Sequence, residues 1–222
     1  MSSEIEHIEY DRDINPYPSF GKKYNGEKAI ISMTSWKMRI ATCSKTIYSL
    51  LKQCPGFHIV LVLSEEEFPK MMDELPDNLK LFVDNELIEV LWVYRNYKAM
   101  KKVIFTMQKY PEVPIISADD DCIYTCNYAQ ELYDKWSENK NSIIIYKKSN
   151  WNGPQGPCTL YFSNFSKNIP NISNVNFKNY LTNDDIFFKE LMNKYNIKII
   201  GIKNYYPYAF HTKVGALNPG QY

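Results

Sequence analysis

The chain has 222 residues, 45% of them hydrophobic, with 26 Lys plus Arg against 25 Asp plus Glu. That size and apolar content suit one substantial core, and a formal net charge of +1 argues against electrostatic binding to long nucleic acid. An odd set of five cysteines without zinc-type pairing argues against a disulfide framework and for a reducing cytosol, and no window is long enough for a transmembrane segment or arranged as a secretory leader.

Residues 1–27 carry Pro16, Pro18, Gly21 and Gly26 without periodicity and are expected as an irregular N-terminal arm. KAIISM at 28–33 reads as a strand, and Ile47, Leu50 and Leu51 give the next segment a helical stripe. HIVLVL at 58–63 is a second strand, residues 65–81 are helical or irregular, and IEVLWVY at 88–94 is a third strand. Met100, Val103, Ile104, Met107 and Tyr110 recur on one helical face. The apolar run 113–118 then reads as a buried strand bounded by prolines. Tyr128, Leu132 and Trp136 mark another helix, SIIIYK at 142–147 and CTLYF at 158–162 mark strands, a helix starts near Thr182, and IKIIGI at 197–202 closes the series. Continuous apolar strands alternating with helices imply a doubly wound α/β fold, a mainly parallel central sheet flanked by helices, with a less regular second half. No repeat or linker divides the chain, so residues 1–222 are expected to form a single domain.

Asp119, Asp120 and Asp121 follow the fourth strand directly. Three adjacent carboxylates repel one another unless a cation neutralises them, and hard divalent cations such as Mn2+ and Mg2+ prefer oxygen ligands; a solvated acidic turn is the plainer alternative. Asp184 and Asp185 in LTNDDIFFKEL either complete a capping box with Thr182 or offer a base for an incoming hydroxyl. His211 is either structural or a ligand of an oxygen-rich metal site. The stretch RNYKAMKK at 95–102 is either a solvated basic face or a cradle for a diphosphate. Cys122 and Cys126 stand beside the aspartates, but three histidines in the whole chain leave a thiolate metal site short of ligands, so both are read as buried thiols. The chain has no GxxxxGK[ST] loop, no GxGxxG after the first strand and no GxSxG elbow. Metal-assisted transfer or hydrolysis at a phosphate ester remains.

In ISMTSWKMRI, the helix ending in SLLKQ, HIVLVLSEEEFP, RNYKAMKK and IISADDDCIY, in that order, the chain resembles bacterial glycosyltransferases of the GT-A fold. The likeness is to GT2-like enzymes of capsular polysaccharide and lipopolysaccharide gene clusters. It covers residues 28–136 well and the rest loosely, which implies a nucleotide-sugar-binding half at 28–136 and an acceptor-binding half at 137–222. It implies that Asp119 to Asp121 are a DXD motif holding Mn2+ or Mg2+ against the donor diphosphate. Asp121 is then the direct metal ligand, Asp119 a metal, ribose or donor-sugar contact, and Asp120 the middle residue. Thr34 and Arg39 would lie near the nucleotide, Ser64 near the base, and Lys98 and Lys101 near the donor. Asp184 or Asp185 would be the catalytic carboxylate and His211 a further metal ligand, with Trp151 and nearby tyrosines stacking on acceptor sugars.

The function so implied is hexosyl transfer from a nucleotide sugar, a UDP-sugar in the first instance, to a glycan or lipid-linked acceptor, with inversion. The expected location is cytoplasmic, with peripheral contact at the inner face of the cell membrane. Two readings stand beside it: a metal-dependent phosphohydrolase or nucleotidyltransferase acting on a nucleotide or sugar phosphate, and a non-catalytic carbohydrate-binding module. The absence of glycine after the first strand disfavours a sugar nucleotidyltransferase.

Overall fold

The computed structural model describes residues 17–53, 55–146, 153–168, 180, 183–202 and 207–211. Trp151, Thr182, Cys54 and most of the N-terminal arm lie outside these residues.

The strands are β1 (Ser19–Gly21), β2 (Ala29–Thr34), β3 (Phe57–Ser64), β4 (Glu89–Val93), β5 (Ile115–Asp119), β6 (Cys122–Tyr124), β7 (Ile143–Tyr146), β8 (Thr159–Tyr161), β9 (Ile199–Ile202) and β10 (Tyr208–Phe210). The helices are α1 (Cys43–Leu51), α2 (Asp77–Asp84), α3 (Lys101–Lys109), α4 (Tyr128–Ser137) and α5 (Asp184–Lys194). Eight strands make one sheet in the order β1-β4-β3-β2-β5-β8-β7-β9, and β6 pairs with β10 in a separate ribbon.

The apolar runs become the centre of that sheet. Every residue of β3 and β4 is buried, as expected of parallel strands covered on both faces. The pairs β2–β3, β3–β4, β2–β5 and β7–β9 are parallel; β1–β4, β5–β8 and β7–β8 are antiparallel. Helix α3 packs across β2, β3 and β5 and is buried from Lys101 through Met107.

Three expectations are corrected. Part of the arm is ordered as edge strand β1, which pairs with β4 until Gly21, at φ +85°, turns the chain away; a Cβ there would stand 2.3 Å from the Ile88 carbonyl oxygen. The N-cap of α5 is Asn183, whose Oδ1 accepts from the Ile186 N–H at 3.3 Å, so Asp184 and Asp185 both fall inside the first turn. Cys126 is exposed, because it lies in the turn before α4, whereas Cys43, Cys122 and Cys158 are buried.

Candidate active site

The chain passes from β2 outward to β3 and β4, then returns to the other side of β2 as β5. Connections diverge between β2 and β5, and the crevice this opens at the C-terminal strand ends is where open α/β sheets take ligands. Thr34, the last residue of β2, stands in register with Asp119, the last of β5. The Thr34 hydroxyl donates to the Val62 carbonyl at 2.7 Å. The Asp119 N–H donates to the Tyr124 hydroxyl oxygen at 2.8 Å, and the Tyr124 ring packs on Tyr128 with centroids 4.3 Å apart.

The three aspartates meet different partners. Asp120 is 5% exposed and both its carboxylate oxygens are engaged, one by the Ser35 hydroxyl at 2.6 Å and one by Arg39 at 2.5 Å. The same guanidinium nitrogen donates to Asp121 Oδ2 at 2.9 Å. Asp121 Oδ1 has the Cys122 thiol at 3.5 Å. Asp119 takes the Lys102 ammonium at 2.5 Å on Oδ1, and that ammonium stands 3.5 Å from Asp184 Oδ2. The Gly156 N–H bonds to Asp185.

Charge balance at this end of the sheet is unfavourable to the acids. Among the described residues five carboxylates, Asp119, Asp120, Asp121, Asp184 and Asp185, share two bonded cations, Arg39 and Lys102, while Lys101 acts on Asp120 at longer range. Burial and the charge of Asp119 push the Asp121 carboxyl up to about 6 against the pull of Arg39. Burial also raises Asp120 despite Arg39 and Ser35. Burial and the neighbouring Asp184 drive Asp185 well above the usual carboxylate range, opposed by Lys102. Burial alone would lower Lys102, yet Asp119 and Asp184 hold it above the ordinary lysine value.

His211 follows β10, and its backbone N–H donates to the Asp121 carbonyl at 2.9 Å. Its Nε2 lies 3.1 Å from the Thr46 hydroxyl, which also donates to the Asp120 carbonyl at 2.9 Å. Nδ1 is buried and has no hydrogen-bond partner of good geometry among the described residues, and burial lowers the pKa of the ring against the pull of the Asp120 backbone.

Thr34, Arg39, Asp119, Asp120, Asp121, Asp184, Asp185 and His211 thus belong to one neighbourhood at the strand ends. Ser64 and Lys101 form an adjoining group toward β3 and β4. The Ser64 hydroxyl is 3.5 Å from Glu67 Oε2, and the Lys101 ammonium, 1% exposed, donates to Asn96 Oδ1 at 2.6 Å and lies 3.4 Å from Glu67. Burial lowers the Lys101 pKa. Lys98 is exposed on the rim, at φ +48°, with its N–H bonded to Asn96 Oδ1 at 2.9 Å. Ser35, Thr46 and Gly156 are members of the site that periodicity and motif did not single out, and Lys102, the last residue of the basic stretch 95–102 weighed as a diphosphate cradle, bonds to carboxylates. Lys102 sits roughly opposite the Met100, Val103, Ile104 and Met107 stripe, where a helical wheel assigns solvent.

Among the described residues no group of three His, Cys, Asp or Glu side chains converges as a ready metal cage. The physical reason is that Arg39 and Lys102 already draw the carboxylates to themselves. The donor set still fits a hard divalent cation. Asp119 keeps 30% of its side chain exposed, and among the described residues Asp121 Oδ1 meets the Cys122 thiol but no ammonium or guanidinium, with the His211 imidazole beside them.

No protein-family model matches the sequence, and no curated protein is similar to it in sequence. Solved structures are similar in fold. The mannosyltransferase PcManGT from Pyrobaculum calidifontis, in complex with GDP-Man and Mn2+, matches with a TM-score of 0.58 over 86% of this chain and 59% of that one, at 10% identity. This chain has the GT-A glycosyltransferase fold. S. aureus TarS matches with a TM-score of 0.56 at 13% identity, over 82% of this chain and 36% of that one. The TarS 1-349 structure gives 0.55 at 14% identity, over 82% and 59%. The GT-A chain described here spans 36% to 59% of the length of these three, and likeness at such identities is a likeness of fold.

Proposed function

We propose that this chain is a metal-dependent glycosyltransferase, GT2-like, that moves a hexosyl group from a nucleoside-diphosphate sugar, a UDP-sugar in the first instance, to a hydroxyl of a glycan or lipid-linked acceptor with inversion. The observation that carries the reading is the excess of carboxylate over bonded cation, among the described residues, at the crevice between β2 and β5. The GT-A fold supports it, and in a neighbour of that fold a nucleotide sugar and Mn2+ are bound.

Asp121 and Asp119 of the DXD motif, with His211, would hold Mn2+ or Mg2+. Such an ion supplies charge stabilisation to a departing nucleoside diphosphate. Asp120 acts indirectly: with both oxygens engaged by Ser35 and Arg39, it fixes the turn after β2 that faces the nucleotide. Thr34 and Arg39 border the diphosphate, Ser64 and Lys101 the base, and exposed Lys98 the rim. Of the two acids in the first turn of α5, Asp185 suits the base that takes the acceptor proton, because burial and Asp184 raise its affinity for protons. Residues 28–136 are then the donor half of a single domain and residues 137–222 the acceptor half. No helix among the described residues is long and apolar enough to cross a membrane; the proposed location is cytoplasmic, with peripheral contact at the inner membrane face where a lipid-linked acceptor is presented.

The test is a thermal-shift screen of nucleotide sugars with and without Mn2+. A nucleoside diphosphate and its sugar should raise the melting temperature only when Mn2+ is present. The reading fails if no nucleotide shifts the transition under either condition. Metal-dependent cleavage of nucleotides that needs no acceptor and survives Asp185→Asn would point instead to a phosphohydrolase.

A further inference from the structure

Lys102 is a charged residue that the donor and acceptor assignments above leave without a task. It is 2% exposed, and both of its ends are fixed. Its carbonyl accepts from the Ser32 hydroxyl of β2 at 2.5 Å, and Ser32 also meets Thr106 one turn further along α3 at 2.7 Å. Its ammonium spans Asp119 at the end of β5 and Asp184 at the start of α5, at 2.5 and 3.5 Å. Gly156 closes over the contact. A methyl at that position would lie 2.9 Å from both Asp119 carboxylate oxygens and 3.1 Å from the Lys102 nitrogen, and the Gly156 N–H holds Asp185. One ammonium and one glycine therefore join four segments of the chain, α3, the end of β5, the Gly156 loop and the start of α5.

We propose that Lys102 is a positioning residue that ties the donor-side carboxylate Asp119 to the first turn of α5, setting the reach of the acceptor-side acids Asp184 and Asp185 toward the bound sugar. The inference rests on the glycosyl-transfer reading of the site. Fold stability by itself does not account for the lysine, because buried ion pairs are commonly replaceable by apolar side chains at no loss of stability. What an apolar side chain cannot do is hold two carboxylates from different segments at one distance. Misplacing a reacting group by about 1 Å can lower a rate about 100-fold.

The experiment uses the full chain with UDP-glucose, UDP-galactose and GDP-mannose as donors, methyl glycosides as acceptors, and Mn2+. Nucleotide affinity is measured separately by titrating UDP and GDP with Mn2+. Lys102→Met should lower kcat by at least about 30-fold while nucleotide affinity stays within about threefold of wild type. The double variant Lys102→Met/Asp184→Asn should be no slower than the slower single, since a tie and its partner fail together. A kcat within threefold of wild type, a loss matched by equal weakening of nucleotide binding, or additive losses in the double variant would each overturn the proposal. Should Lys102→Met not fold, Gly156→Ala carries the test, because it keeps every charge and displaces the tie. An approximately tenfold loss of kcat with nucleotide affinity retained supports the proposal, and unchanged kcat overturns it. A wild-type chain that binds neither UDP nor GDP with Mn2+ and turns over none of the donors removes the glycosyl-transfer reading, and this proposal with it. A wild-type chain that transfers sugar beside a Lys102→Met chain that does so equally well removes this proposal alone.

Discussion

Two buried clusters of acids and bases stand at opposite ends of the same sheet, and α3 supplies a lysine to each. At the N-terminal ends of β3 and β4, Glu89 accepts from Lys109 at 2.6 Å, from Tyr110 at 2.6 Å and shares a 2.7 Å contact with His58. Lys109 also donates to Ser19 of β1 at 2.8 Å. Burial would push the Glu89 carboxyl up, but these bonds outweigh it and hold the group down to about 2. At the C-terminal ends the opposite term wins, and burial with like charge carries Asp121 up to about 6. The ingredients are alike; the ratio of acid to base differs. The basal cluster closes its own charge, as a fold-holding cluster should, while the upper one, among the described residues, has more carboxylates than bonded cations, an excess that a bound divalent cation would relieve.

If that contrast separates function from stability, the largest effects on turnover belong to the upper cluster. Asp185→Asn is expected to lower kcat by about 10²- to 10⁴-fold with nucleotide binding retained, read from steady-state transfer and from titration of the nucleoside diphosphate. A larger loss in Asp184→Asn than in Asp185→Asn would transfer the role of base to Asp184. Asp121→Ala should cost roughly 10²- to 10³-fold in transfer, the worth of several kcal/mol of charge stabilisation, and should weaken nucleotide binding only when Mn2+ is present. Wild-type transfer by that variant would mean that the acid excess has no catalytic part, and the contrast would lose its meaning.

The sheet was legible because each central strand is an unbroken apolar run. KAIISM, HIVLVL, IEVLWV and VPIISA need no partner information to be recognised as buried strands, and they became β2, β3, β4 and β5. Their C-terminal acids were legible for the same reason: a charge triplet ending such a run has to emerge at a strand end. What escaped depended on tertiary partners. Lys102 lies on the polar side of a helical wheel and is buried all the same, because the Gly156 loop and the start of α5 cover the outer face of α3. Ser35 and Thr46 are ordinary turn and helix residues until Asp120 reaches them. Strand β1 is three residues long and contains a glycine, so its pattern is too short to register and its strand character comes wholly from pairing with β4. The Arg39 contact also changes what the triplet means, since its middle member is already neutralised from within the chain.

Effects on stability should run the other way. Glu89→Gln leaves Lys109 and His58 without their carboxylate and is expected to cost about 3 kcal/mol, or roughly 6–12 °C in melting temperature for a chain of this size, with nucleotide binding untouched. The pH dependence of the two clusters should also have opposite sign. Glu89 has a folded pKa of about 2 below the ordinary 4.5, so its stabilisation is present above pH 4.5 and is lost as pH falls toward 2, about 3 kcal/mol in all. Asp121 has a folded pKa of about 6 above the ordinary 3.8, so metal-free stability is favoured below pH 3.8 and as much as about 3 kcal/mol is lost as pH rises through 6. Denaturant titrations across pH in the presence of a chelator read both limbs. Glu89→Gln should flatten the acid limb and Asp121→Asn the one between pH 4 and 6; the same flattening from both variants would show that the clusters titrate as one.

The smallest expected effect is the sharpest check on how Asp184 and Asp185 are used. Acids at the head of a helix can serve it through the dipole or by carrying the cap, and the cap is the larger and more local of the two. In the structure they do not carry the cap, because Asn183 accepts the Ile186 N–H. Asn183→Ala should therefore cost about 1 kcal/mol, about 2–4 °C in melting temperature, and leave kcat within about threefold of wild type once the protein is held below its transition. The aspartates, relieved of capping, should show the reverse: Asp185→Asn removes like charge from a crowded carboxyl group, so its melting temperature should hold or rise while turnover falls. A variant at 185 that lost stability and turnover in step would return that residue to the helix end and leave Asp184, held by Lys102, as the acid that faces the acceptor.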